Sequence, residues 1–486
     1  MTSLLCGLLT PYHPVGTFLG NHGAAHPSPQ LHRSVHTMDT APASASAPPP
    51  VDPRRRRVAT AAALASAVEW YDYFVFGIAA ALVLGDKFFP ASNPVAGVLA
   101  SFATFAVGFL ARPVGGVIAG QLGDRRGRKP MLVLALTMMG TATTAIGLLP
   151  SYETIGVAAP VLLVTLRVVQ GLAVGAQWGG AMLMATEYAP PGKRGLYGSL
   201  VQMGVPIGVV TANSAFLLTE AGVGAGAFTE WGWRLPFVVG LLVLVLAWYI
   251  HSRVEETPEF KEAERKLAQT EKSRASSPLG TVLRSHLGTV LLAGGSFAVN
   301  TAVFYIIITG VLDYATRDLK MDRGAVLMVS LLVSLTQLVL IPAAASLSDR
   351  VGRLRIYTFG AVGLLVWAVP MFLLIDTRSL LLLGVGTFVT SCFLSIMYGP
   401  QAALFAELFT AEMRYTGASL GYQIAAVFGG GLAPFVMVLL LEATGTSLAV
   451  SGYIMALAVV ALVSIAVLAR RSARRTAAEP VEQPAG

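Results

Sequence analysis

Twelve apolar runs, each about 20 residues long and so able to cross a bilayer core, follow one another along this chain. They fall at about 58–84, 94–121, 131–149, 157–184, 196–219, 232–250, 286–311, 324–347, 356–375, 379–404, 415–441 and 446–469. Lipid offers backbone groups no water, so such segments must be helices or strands of a closed barrel. Barrel strands alternate polar and apolar residues over about ten positions, and these runs do not. The expected fold is therefore an all-α membrane protein with twelve transmembrane helices. Composition agrees: of 486 residues, 55% are hydrophobic and only 12% charged, against roughly 25% charged in a soluble domain.

Most of the 34 lysines and arginines fall on one side of the alternating topology. They include Arg54 to Arg57, Arg125 to Lys129, Lys193, Arg194, the segment 253–284, Arg350 to Arg355, Arg414 and Arg470 to Arg475. Basic residues concentrate in cytoplasmic loops, which places both termini in the cytoplasm. The net charge of +8 then reports topology and gives no reason to expect a nucleic-acid partner. Residues 1–57 read as a disordered cytoplasmic tail, with Met38 an alternative true start. Residues 58–251 and 286–470 read as two six-helix bundles, joined by an amphipathic cytoplasmic linker at 252–285 and followed by a tail at 471–486.

Two phrases occur twice. Glu187 and Arg194 precede Gly198-Ser199-Leu200; Glu407 and Arg414 precede Ala418-Ser419-Leu420, about 220 residues on. Asp124-Arg125-Arg126-Gly127-Arg128 is echoed by Asp349-Arg350-Val351-Gly352-Arg353. Each phrase joins one apolar run to the next, so the two bundles are expected to be a parallel internal repeat. Parallel repeats of membrane-spanning halves mark carriers in which one half rocks against the other around a site at the bilayer midplane.

Gly120-Gln121-Leu122-Gly123-Asp124-Arg125-Arg126-Gly127-Arg128-Lys129 resembles the signature loop of the major facilitator superfamily, and Arg167-Val168-Val169-Gln170-Gly171 its helix-4 motif. Four further phrases resemble the metabolite:proton symporters within it: Glu69-Trp70-Tyr71-Asp72-Tyr73, Ala111-Arg112-Pro113-Val114-Gly115-Gly116, Glu255-Glu256-Thr257-Pro258-Glu259-Phe260 and Arg414-Tyr415-Thr416-Gly417. The stretch from Gln177 to Asn213 looks most like the shikimate-transporting branch. The resemblance implies a proton-coupled importer of a small organic acid in the bacterial cytoplasmic membrane, working as a monomer. A shikimate-like cyclic hydroxy acid is favoured; α-ketoglutarate, other dicarboxylates, proline and betaine are the alternatives. Many members have an acid where this chain has Gln177, which argues modestly against betaine.

Ionisable groups at membrane depth are costly, at least ~2.5–3.5 kcal/mol each on insertion scales, and should face a cavity or a partner. Glu69 and Asp72 share a face of the first helix, and Arg167 lies at a similar depth in the fourth. Two carboxylates against one guanidinium favour a proton on one acid, so Glu69 or Asp72 is the candidate proton site and Arg167 the candidate carboxylate ligand. A permanent structural ion-pair network is the other reading. Arg112 either reaches the cavity as an anion clamp or snorkels to the interface. Gln170, Gln202, Asn300, Tyr398 and Tyr422 are further candidate substrate contacts, among polar groups that also include Asn213, Tyr305, Gln337, Gln401 and Gln423. They suit a hydroxylated ring acid or helix–helix hydrogen bonds equally.

For the loop motifs the expectation is gating. Asp124 should meet a helix N-terminus or a basic group across the bundle interface, with Arg125, Arg128, Glu187, Arg194, Asp349, Arg350, Glu407 and Arg414 in supporting roles. Gly171, Gly175 and Gly179, four residues apart, read as close helix packing. No metal spacing, nucleophile–base pair or phosphate loop occurs, so neither an enzyme nor a cofactor is expected. Five of the seven histidines (His13, His22, His26, His32, His36) lie in the N-terminal tail.

Overall fold

The computed structural model describes residues 66–67, 69–89, 94–126, 128–175, 189, 192–253, 286–409 and 414–478. The tail that contains Met38, the interior of the linker and the last eight residues lie outside that range. Among the described residues there are helices and no strands.

The first six long helices are α1 (69–88, widened to a π turn over Ala80–Leu84), α2 (Pro94–Arg126), α3 (Arg128–Leu148), α4 (Ala158–Gly175), α5 (Arg194–Gln202, continuing as Gly204–Val223) and α6 (Leu235–Val238, continuing as Gly240–Arg253). The second six are α7 (Leu287–Tyr305, continuing through π turns to Asp318), α8 (Arg323–Val351), α9 (Arg353–Ile375), α10 (Leu380–Leu408), α11 (Arg414–Ala425, continuing through a π segment to Ala433–Thr444) and α12 (Leu448–Ala478). Short helices at Tyr152–Ile155 and Ala225–Glu230 sit in connections.

Among the described residues nine helices are long and apolar enough to cross a membrane on their own; α3 and α6 hold the shorter apolar stretches Val133–Leu148 and Gly232–Val245. Helix α1 carries Glu69, Asp72, Asp86 and Lys87, which is why apolarity alone does not single it out. Several helices outrun the apolar runs seen in the sequence: α8 continues to Val351 and α10 to Leu408. Hydropathy reports only the stretch in contact with hydrocarbon, whereas helical hydrogen bonding persists through the interface until a breaker. Gly352, at φ 105°, is that breaker between α8 and α9, since a side chain there would be strained.

The two sets of six repeat the same packing. Helix α2 lies on α4 and α3 on α6; in the second set α8 lies on α10 and α9 on α12. Helix α5 faces α8 and α10, α2 faces α11, and α1 meets α7 across the middle. The core there is aromatic: Tyr73, Phe105, Phe109 and Tyr305 meet mostly edge to face at 5.1–6.3 Å between centroids, the arrangement that ring quadrupoles favour.

Helices α2 and α4 touch backbone to backbone. A methyl group added at Gly171 would collide with the Gly108 carbonyl, one at Gly175 with the Arg112 carbonyl, and one at Gly115 with the Leu172 carbonyl. Gly171 and Gly175 thus act as the sequence spacing predicts; Gly179 lies outside the described residues. Gly175→Ala should force the two helices apart at a cost of about 1–3 kcal/mol. A lowered thermal midpoint of the purified protein in detergent is the expected result, and an unchanged midpoint would contradict this close packing.

Candidate functional site

Where the two sets of helices meet, a cavity of about 480 Å³ is lined from both sides: Trp70 on α1, Phe109 and Arg112 on α2, Phe297, Asn300 and Tyr305 on α7, Gln337 on α8, Tyr398 on α10 and Tyr422 on α11. Asn300 Nδ2 donates to the Leu394 carbonyl at 3.0 Å and Gln337 Nε2 to Ser391 Oγ at 2.8 Å. Each amide is thereby fixed and keeps its own carbonyl oxygen as an acceptor. Arg112 is the one arginine or lysine in the described lining. It is fully buried, and apart from the neighbouring Tyr422 hydroxyl no hydrogen-bond partner among the described residues reaches its three nitrogens. The guanidinium rests on ring faces instead, 5.1 Å from the centroid of Tyr73, 5.3 Å from Phe109, 5.8 Å from Trp70 and 6.0 Å from Tyr422. Ring faces soften the burial of a cation but offer no acceptor to its five N–H donors. A guanidinium so placed has donors left for an anion.

Beside the cavity runs a second polar chain. Arg167 Nη1 donates to Gln170 Oε1 at 3.0 Å, and Gln170 Nε2 donates to Asp72 Oδ2 at 3.0 Å and Oδ1 at 3.2 Å. The Thr143 hydroxyl on α3 donates to Asp72 Oδ1 as well. Arg167 and Asp72 are therefore joined through the Gln170 amide; no direct ion pair between them occurs among the described residues. The remaining Arg167 nitrogens, Nε and Nη2, have no partner, and the guanidinium packs 4.2 Å over Phe76, 4.4 Å over Tyr73 and 5.1 Å over Phe105. Glu69 is 6% exposed, with Arg112 and Asp72 as its electrostatic neighbours. With Arg112 inside, two buried cations face two buried acids.

Helix α8 ends, and α5 and α9 begin, at one end of the molecule, the basic end that carries Arg194, Arg350 and Arg353. There Asp349 at the end of α8 accepts from the Gly195 and Leu196 amides, at 2.9 and 3.1 Å, in the first turn of α5. The N-terminal amides of a helix are unpaired donors with a favourable dipole, so this carboxylate closes the two halves against each other. Arg353 bridges Asp349 (3.2 Å) to Glu407 on α10 (2.8 Å). One level deeper, Gln202 Nε2 on α5 donates to Gln401 Oε1 on α10 at 2.6 Å, a turn below the cavity residues Val205 and Tyr398. At the other end Glu220 pairs with Arg323 at 3.5 Å, and Asn213 donates to Ser330 at 3.3 Å, both joining α5 to α8. Contacts therefore join the two halves along this seam on both sides of the cavity.

Comparison with known proteins matches both halves. Residues 58–282 fit the family described as sugar (and other) transporter, and residues 292–485 fit the major facilitator superfamily. The shikimate transporter of Escherichia coli K12 is 39% identical, over 79% of this chain and 87% of its own length. The chain belongs to the major facilitator superfamily. Other relatives in E. coli K12 are the inner membrane metabolite transport protein YhjE, 36% identical over 85% of this chain and 93% of its own, and the proline/betaine transporter, 32% identical over 85% and 83%. The solved D-xylose–proton symporter superposes with a TM-score of 0.66 at 15% identity, covering 85% of this chain and 97% of that one. A partially occluded, inward-open form of the xylose transporter XylE gives 0.67 at 17%, covering 85% and 96%. Fold and membership agree: this is a multi-pass membrane transporter of twelve helices in two bundles, not an enzyme.

Within that facilitator fold, Arg112, Asn300, Tyr398 and Tyr422 line the cavity, whereas Arg167, Gln170 and Gln202 stand outside its lining. Glu69 and Asp72 do not line it either. Arg194 and Arg350 are exposed, without described partners. Glu187, and the side chains of Asp124, Arg125, Arg128 and Arg414, lie outside the described residues; the helix N-terminus contact expected of Asp124 is the one made by its repeat counterpart Asp349. Sequence reasoning missed Thr143, one threonine among many in apolar helices, and the aromatic lining from Trp70, Phe297 and Phe304, whose types are as common in any packed core. It also left out Arg353, although the repeated phrase contains it.

Proposed function

We propose that this protein imports a small cyclic monocarboxylic acid together with a proton across the bacterial cytoplasmic membrane, with shikimate or a similar hydroxylated ring acid as substrate. The observation that carries the reading is Arg112: a fully buried guanidinium on the cavity wall, with the Tyr422 hydroxyl as its one described hydrogen-bonding neighbour and an acid-bearing chain beside it. A carboxylate entering this cavity can pair bidentately with Arg112 while its ring rests among aromatic faces. Its hydroxyls meet acceptors at Asn300 and Gln337. One cation in the described lining favours one carboxylate over two, because a second carboxylate would be buried unpaired. The distribution of lysine and arginine supports a basic end facing the cytoplasm, with bundle boundaries at 58–251 and 286–470 and a monomer as the working unit. Glu69 and Asp72 carry the proton between them, and the Asp349 and Glu407 contacts gate the inner side.

The aromatic lining also fits a quaternary ammonium, so betaine is the second reading; a betaine carboxylate would still need Arg112. Uptake of labelled shikimate into proteoliposomes, with and without an inward proton gradient and with α-ketoglutarate and betaine as competitors, separates these. Accumulation that a protonophore abolishes and neither competitor reduces is expected. Strong competition by α-ketoglutarate or betaine would move the substrate class, and accumulation without a gradient would remove proton coupling.

The gate carries its own test. Asp349→Asn should weaken the inner closure by about 1–2 kcal/mol, a five- to thirty-fold shift toward states open to the cytoplasm. A Gln202→Cys reporter in a background without Cys6 and Cys392 should then react faster with a bulky impermeant thiol reagent applied from the cytoplasmic face. Equal reaction rates with and without Asp349→Asn would rule out a gating role.

A further inference from the structure

We propose that Tyr73 is the positioning residue that links the anion-receiving guanidinium of Arg112 to the Arg167–Gln170–Asp72 chain, making carboxylate and proton binding cooperative. This rests on the proton-coupled reading given above and names the part that does the coupling.

Two buried guanidiniums lie within one turn of each other along α2. Arg112 belongs to that helix, and Arg167 packs against Gly108, where an added methyl group would sit 2.7 Å from Arg167 Nε. Among the described ring contacts Phe109, Trp70 and Tyr422 serve Arg112 alone, and Phe76 and Phe105 serve Arg167 alone. Tyr73 serves both, at 5.1 Å from Arg112 and 4.4 Å from Arg167. It is 1% exposed and its hydroxyl has no hydrogen-bond partner, so what holds it is its ring. Attraction between a guanidinium and a ring face is electrostatic. A carboxylate docked on Arg112 supplies the negative charge that the ring was lending, and frees the ring for Arg167. Arg167 in turn sets Gln170, whose amide grips both oxygens of Asp72.

Coupling of this kind is reciprocal. A proton on Asp72 removes a negative charge from the network and leaves it more cationic, so carboxylate affinity should rise as pH falls. The charged or titratable groups facing Asp72 are Glu69, Tyr71 and Tyr73 on its own helix and Arg167 on α4, with Thr143 uncharged on α3 and Arg112 on α2 reached through Glu69 and Tyr73. Of these Tyr73 alone touches both cations.

The test is the affinity for labelled shikimate in purified protein as a function of pH, for the unaltered protein, Tyr73→Phe, Tyr73→Leu and Tyr73→Met. The unaltered protein and Tyr73→Phe, which keeps the ring face, should bind roughly five-fold or more tightly at low pH than at high pH. In a Glu69→Gln background, which removes the other acid beside Arg112, Tyr73→Leu and Tyr73→Met should bind with an affinity that no longer changes with pH, while Tyr73→Phe keeps the change. A pH dependence retained in either aliphatic variant in that background overturns the role of Tyr73 and leaves proton coupling standing. Loss of the dependence in Tyr73→Phe overturns it too, because the ring is intact. A flat profile in the unaltered protein overturns the proton reading itself, and this proposal with it.

Discussion

Arg112→Ala is expected to abolish carboxylate uptake in a protein that still purifies as a single species. In the cavity a bound carboxylate would make two charge-assisted hydrogen bonds to this guanidinium. Such bonds contribute about 1.5–3 kcal/mol each, so their loss is worth roughly a hundredfold or more in affinity. Arg112→Lys keeps the charge but replaces a planar fork by a point donor, and should recover only part of that loss. The effect should fall on KM more than on the maximal rate, because the proposed function gives Arg112 the substrate and the acids the proton. Arg167→Lys should behave differently: its guanidinium reaches Asp72 through Gln170 and stands outside the described cavity lining, so proton-driven accumulation should suffer more than affinity. Uptake kinetics in proteoliposomes at fixed pH distinguish the two. If Arg167→Lys raises KM a hundredfold and Arg112→Ala does not, the anion site belongs to Arg167.

The fold could be read from the chain because membrane helices announce themselves locally. A run of about 20 apolar residues has one outcome in lipid, and the repeated phrases around Asp124 and Asp349 imply the parallel halves. Close packing of α2 on α4 was legible for the same reason: glycines at Gly171 and Gly175 leave few alternatives once both neighbours are helical. The site was legible only in its inventory. That Glu69, Asp72, Arg112 and Arg167 sit at membrane depth follows from the sequence; which of them meet does not. Depth places Arg167 level with Asp72, yet the contact passes through Gln170, because helix rotation decides which side chain points at which neighbour. Rotation also puts Arg112 on the cavity and Arg167 behind a ring. Aromatic lining is harder still to foresee, since Trp70 and Phe304 in a sequence look like any packed core. The proposed gate shows the opposite case: Asp349 and Glu407, in the last turns of α8 and α10, and Arg353, at the start of α9, are placed by the helix ends themselves.

Asp72→Asn is expected to abolish proton-driven accumulation while leaving exchange of labelled for unlabelled substrate. The substitution is nearly isosteric. Asparagine Oδ1 still accepts from Gln170 Nε2, as Asp72 does now at about 3 Å, and the remaining Arg167 contacts are to ring faces, so the packing around the site survives. What is lost is the change of charge. A monoanion carried with one proton moves no net charge, so the pH gradient alone drives it, at about 1.4 kcal/mol or tenfold accumulation per pH unit. With an amide at position 72 that ratio should fall to one under the same gradient, and counterflow should persist because substrate still meets Arg112. Glu69→Gln is the companion variant. Glu69 has Arg112 as an electrostatic neighbour, so its neutralisation should mainly raise carboxylate affinity by removing a competitor for that cation. Should Glu69→Gln lose accumulation while Asp72→Asn keeps it, the proton rides on Glu69 and the Gln170 chain is a structural brace. Normal accumulation in both variants would leave the two acids as a fixed ion-pair network and require a different proton site.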